Sequence, residues 1–109
     1  MTTHTKTQRP ASGDPVAVDP KHYKVELEND QVRVLRITYG PHEKSVKHGH
    51  PASVLYCLTD FHVKFALPDG KSEERRGKAG QVIWNPAEEH LPENLGGQRL
   101  ELILVELKK

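Results

Sequence analysis

A chain of 109 residues can bury one modest core and has no room for a second domain. Its 16 basic and 15 acidic residues nearly cancel and are interspersed, which argues against a nucleic-acid footprint or a block drawn to a membrane surface. A single cysteine, Cys57, rules out an internal disulfide and fits a reducing compartment.

Residues 1–20 are rich in Thr, Pro, Ser, Gly and Asp and carry few aliphatics, so they are expected to form a disordered or loosely attached tail ahead of a domain at 21–109. That opening stretch has no apolar run resembling a signal peptide or anchor, and a cytoplasmic location is the expectation. Val25-Glu26-Leu27, the Asn29-Asp30 turn and Gln31–Tyr39 form a predicted hairpin. In its longer strand Val32, Val34 and Thr38 face one way and Leu35, Ile37 and Tyr39 the other, which suggests cover on both faces. After the loop at Gly40–Ser45, a strand is expected at Val46–His50 and another at Ser53–Thr59, where Cys57 is a small core residue. Phe61, Val63, Phe65 and Leu67 alternate inward against outward His62 and Lys64. Pro68-Asp69-Gly70 is a turn, and the charged run Lys71–Lys78 belongs on the surface. Gln81–Trp84, a short segment at His90–Asn94 and a long strand at Gln98–Leu107 complete the chain. No window of ten residues has helical periodicity and no stretch can cross a bilayer, so the expected class is all-β, a sandwich or small antiparallel barrel.

Chemistry concentrates in Lys47-His48-Gly49-His50-Pro51. In a strand His48 and His50 project to the same side, and a third imidazole from a neighbouring strand, His90, would complete a grip on a divalent metal. The order of these residues resembles the small single-domain cupins. The first motif of that family, Gly, His-x-His and an apolar strand, corresponds to Gly40, His48, His50 and Ser53–Asp60. The second, Gly, five residues, Pro, then His and Asn, corresponds to Gly80, Pro86, His90 and Asn94. The usual glutamate of the first motif is absent, its position holding Ser53 or Val54, and Glu88 stands where the second motif has glycine. The resemblance implies a jelly-roll-like double-stranded β-helix with a three-histidine site for Zn, Fe, Ni, Mn or Cu. Some cupins with three histidines, among them thiol dioxygenases and a diketone-cleaving dioxygenase, are enzymes, so dioxygenase, isomerase or lyase chemistry on a small polar molecule is implied. The alternative is a cupin that binds or senses a ligand without transforming it, or a dimeric interaction module without a functional metal.

Among the remaining residues Tyr56 shares parity with His50 if the strand continues unbroken, and His42 lies in the loop before the pair; both are candidate catalytic groups. Trp84, Tyr56, Tyr39 and Phe65 read as core or pocket walls. Glu88, Glu89 and Glu93 flank His90 and read as solvated loop charges, although one could orient a ligand ring. His62 reads as a surface residue, and His4 and His22 carry no assigned role. The apolar groups on both faces of Gln31–Tyr39 and Gln98–Leu107 predict a homodimer.

Overall fold

A computed structural model describes residues 13–108. It comprises α1 (Pro15–Val18), β1 (Tyr23–Glu28), β2 (Val32–Tyr39), β3 (His48–His50), β4 (Ser53–Cys57), β5 (Phe61–Ala66), β6 (Ser72–Gly77), β7 (Val82–Asn85), β8 (Glu88–Asn94) and β9 (Leu100–Leu107). The strands build two antiparallel sheets, ordered β1-β2-β9-β4-β7 and β3-β8-β5-β6. This is the expected all-β class, with the sheets enclosing one core.

Alternation along the two longest strands fixes which face is inside. In β2 every second residue is buried, from Arg33 through Leu35, Ile37 and Tyr39; in β9 the same holds for Leu100, Leu102, Leu104 and Glu106. Their antiparallel register sets Leu35 opposite Leu104, Ile37 opposite Leu102 and Tyr39 opposite Leu100. Cys57 is fully buried in this core, as its apolar surroundings predict. The turns follow their local chemistry. Asn29 Oδ1 accepts hydrogen bonds from the Gln31 and Val32 amides, closing the first hairpin. Gly70, at φ +83°, takes the left-handed position after Pro68-Asp69. Asn94, 2% exposed, donates to the Gly40 and Gln98 carbonyls and accepts from the Gly96 amide, joining two loops to β8.

Several expectations are corrected. Residues 1–12 of the expected tail lie outside the described residues, but residues 13–20 are packed rather than loose. Asp14 caps α1 through the Val16 amide and Pro15 occupies the first turn, where its missing N–H costs nothing. Pro15 and Asp19 are buried, and the Gly13 carbonyl accepts from the Gly49 amide at 3.0 Å. Trp84 is not a wall of the interior: it is 57% exposed on the outer face of β7. Arg75, in the run assigned to solvent, turns inward over the Phe65 ring, its guanidinium carbon 4.4 Å from the ring centre. Among the described residues no helix is long and apolar enough to cross a membrane.

Candidate metal centre

The local geometry that brings the three histidines together is one short strand pair. β3 runs antiparallel to β8 with His48 directly opposite His90, so the two rings project from one face, and His50 joins them by the two-residue period. Ring centres lie 4.8 Å apart for His48 and His50, 4.9 Å for His48 and His90, and 5.2 Å for His50 and His90. One nitrogen from each ring falls within 4.8 Å of the other two, and all three residues are buried.

Hydrogen bonds at the opposite edge of each ring decide what those nitrogens can do. His48 Nδ1 faces the Val46 carbonyl at 2.9 Å, His50 Nδ1 faces Glu106 Oε2 at 2.7 Å, and His90 Nδ1 faces Glu88 Oε1 at 2.8 Å. A carbonyl and a carboxylate only accept, so each Nδ1 carries the proton and each Nε2 keeps its lone pair. Among the described residues His48 Nε2 is buried without a hydrogen-bond partner. An orphaned acceptor surrounded by two more imidazoles is what a divalent cation would satisfy, and the residues present fit one.

Burial keeps His48 and His90 neutral. It depresses His48 to about 3, with His50 and His90 adding repulsion against a charge there. His90 falls to about 4 for the same leading reason, although its bond to Glu88 opposes the shift. Burial alone would raise Glu88, but bonds from His90 and Arg75 hold it down at about 2. Arg75 grips both Glu88 oxygens, at 3.1 and 2.7 Å, so that carboxylate is fixed from two sides. A stability consequence follows for the metal-free protein. Unfolded histidines take up protons near 6.5 while His48 and His90 resist to about 3 and 4, so the unfolded chain binds more protons in this window. Stability is therefore expected to fall progressively as pH drops from about 6.5 toward 3. The urea midpoint between pH 7 and 4 checks this, and a flat profile would contradict it.

A cavity of about 410 Å³ opens from the site between the two sheets. His50 and His90 line it, with Ile37, Leu55, Val63, Ile83, Leu102 and Leu104 among its walls and Phe65 stacked on His90 at 4.3 Å. Exposed Arg76 and Gln81 lie at its rim, on the outermost strand of one sheet and just before that of the other. At the closed end the Tyr23 and Tyr39 hydroxyls meet at 2.7 Å, and Tyr23 packs edge-on against His48.

The two proposed catalytic groups are elsewhere. Tyr56 is 43% exposed on the outer face of β4, because Pro51-Ala52 breaks the strand and carries the chain from one sheet to the other. His42 sits exposed in its loop at φ +61° and does not line the cavity. Three residues given no place in the site do contribute. Glu106 and Arg33 are buried behind His50, and His22 stacks on Tyr39 at 4.1 Å while bonding Asp19 and Glu43. The signal for the first two was parity: Arg33 is in phase with Leu35, and Glu106 with Leu104. Glu88 is not a solvated loop charge but the acceptor for His90.

No protein-family model matches the chain, and no curated protein sequence does. Solved structures do. A cupin domain from Bordetella pertussis Tohama I superposes with a TM-score of 0.74 at 21% identity, over 80% of this chain and 92% of that one. An RmlC-like cupin from Methanocaldococcus jannaschii, with a double-stranded β-helix fold, gives a TM-score of 0.62 at 16% identity, over 98% of this chain and 86% of that one. Oxalate decarboxylase from Bacillus subtilis, with Mn(II) centres, is similar over 71% of this chain but only 22% of its own, at 22% identity and a TM-score of 0.55. The fold is the cupin double-stranded β-helix, in a small single-domain form, and its three buried histidines could hold a metal.

Proposed function

We propose that this protein is a metal-dependent cupin in which His48, His50 and His90 hold one divalent ion at the inner end of the cavity and act on a small molecule bound beside it. The observation that carries this reading is the set of three Nδ1 atoms tied to acceptors, which leaves three Nε2 lone pairs at one place. Mn(II) in oxalate decarboxylase supports a metal of the same broad kind, and Zn, Fe, Ni and Cu are the ions that imidazole ligands suit. Bound there, the ion would supply Lewis-acid polarisation of an oxygen donor and acidify a coordinated water, the chemistry shared by isomerase, lyase and dioxygenase sites.

The chain's own residues set the rest. Aliphatic walls and the Phe65 ring ask for a ligand with an apolar body, in place of the polar molecule expected from the resemblance. The stack of Phe65 on His90 and the Arg75–Glu88 clamp hold the ring that faces this ligand. Purification without chelators followed by elemental analysis tests the reading. About one exchangeable metal per chain, with a coordination position open to an added ligand, is expected; a metal-free protein that takes up none would overturn it.

The partner proposed is a second copy of this chain, in a cytoplasmic setting. Leu27, Val34, Val105, Val54 and Trp84 follow one another in register across the outer face of the five-stranded sheet. Charges on the same face pair within the chain, as Arg36 does with Glu26 and Glu101, so two such faces meet without like charges opposed. A monomer mass that stays constant as concentration rises would count against the dimer.

A further inference from the structure

We infer that Glu106 is the positioning carboxylate of this centre, and that Arg33 and Asp14 fix its polarity so that His50 keeps its proton on Nδ1 and presents Nε2; this rests on the metal reading above. The carboxylate missing from the stretch after His50 is thus supplied by the last strand, one hydrogen bond removed from the ion's position. Glu106 is 1% exposed on β9, opposite Arg33 on β2 and Ser53 on β4. Its Oε2 meets His50 Nδ1 at 2.7 Å and its Oε1 accepts from Arg33 Nε at 2.9 Å. The outer nitrogens of Arg33 then reach both oxygens of Asp14, at 3.0 and 2.9 Å.

Direction runs through this chain because a guanidinium has five N–H donors and no acceptor. Arg33 must be met by acceptors on both sides, so the group at 106 must turn an acceptor toward it. A carboxylate can do that and still offer a second acceptor to His50; an amide cannot. In Glu106→Gln the carbonyl oxygen is claimed by Arg33, and the NH2 is left facing His50 Nδ1. The ring can meet that donor only by moving its proton to Nε2, which occupies the lone pair a metal needs. Asp14 belongs to the same device: it anchors the far side of Arg33 from a segment whose Gly13 carbonyl is bonded to Gly49, between His48 and His50. Residues 13 and 14, assigned by composition to a disordered or loosely attached tail, are therefore part of the centre's support.

The test uses the full chain. Nitrogen-15 shifts of the His50 ring in metal-free protein report which nitrogen carries the proton, and competition against a chelator reports metal affinity. In wild type the proton is expected on Nδ1. In Glu106→Gln it should move to Nε2, with metal affinity lower by about 10- to 100-fold, the range found when such outer partners are altered. Glu101→Gln, which breaks an ion pair on the opposite face of the same strand, should change neither. Asp14→Asn, at a half-exposed residue, gives a second variant should Glu106→Gln not fold, and should weaken metal binding in the same direction by a smaller factor. Wild-type affinity and tautomer in both variants would overturn the inference. Should wild type itself bind no metal, the functional reading falls, and the His50 proton position in the metal-free variants still decides the role of Glu106.

Discussion

His48→Ala is expected to lose its metal while keeping its fold. The wild-type ring is wholly buried, its Nδ1 is bonded to the Val46 carbonyl, and its Nε2 has no hydrogen-bond partner among the described residues. Removing it deletes one of three ligands, and affinity should drop by more than the roughly 100-fold that marks the upper end for outer partners. At concentrations that saturate wild type, metal content should fall from about one per chain to under about a tenth. Far-ultraviolet circular dichroism guards against misreading a folding defect, and a folded variant that keeps a full complement of metal would contradict the assignment of His48.

Arg33→Met should be the more damaging change to stability. Arg33 lies against a carboxylate 1% exposed, and its removal takes from Glu106 Oε1 the guanidinium that donates to it at 2.9 Å. Breaking a buried pair from one side costs about 3–5 kcal/mol, whereas replacing both partners by apolar groups of similar volume is often neutral. Urea denaturation of metal-free protein should therefore show a large loss for Arg33→Met and a much smaller one for Arg33→Met combined with Glu106→Leu. A double variant as unstable as the single would contradict this, since it would mean that lost packing rather than the lost charge pairing sets the cost. The double variant should nonetheless bind metal poorly, because His50 has lost its acceptor.

The fold and the His48–His50 pair were legible because both depend on local periodicity. Alternation in Gln31–Tyr39 and Gln98–Leu107 marks inner and outer faces without reference to any neighbour, and the two-residue period sets His48 beside His50 in the same way. His90 came from the resemblance to the second cupin motif, which Gly80, Pro86 and Asn94 carry, and the register of β3 with β8 places it directly opposite His48. What was not legible depends on pairing across the sheet. Arg33 and Glu106 share the core parity of their strands, yet a charged residue in a strand is ordinarily assigned to water. Only the antiparallel register, 73 residues apart in the chain, shows that each satisfies the other. Tyr56 failed for the opposite reason. Its parity with His50 holds along an unbroken strand, and Pro51-Ala52 transfers the chain to the other sheet. The short helix at Pro15–Val18 and its docking over β3 are tertiary facts that composition does not carry.

A crystal grown with a divalent transition metal, with anomalous data collected at that metal's edge, tests the centre most directly. One peak is expected, at about 2.1 Å from Nε2 of His48, His50 and His90, with each Nδ1 still turned to its oxygen acceptor. A peak bound through Nδ1 of these rings, or no peak among them while metal sits elsewhere on the chain, would contradict the assignment.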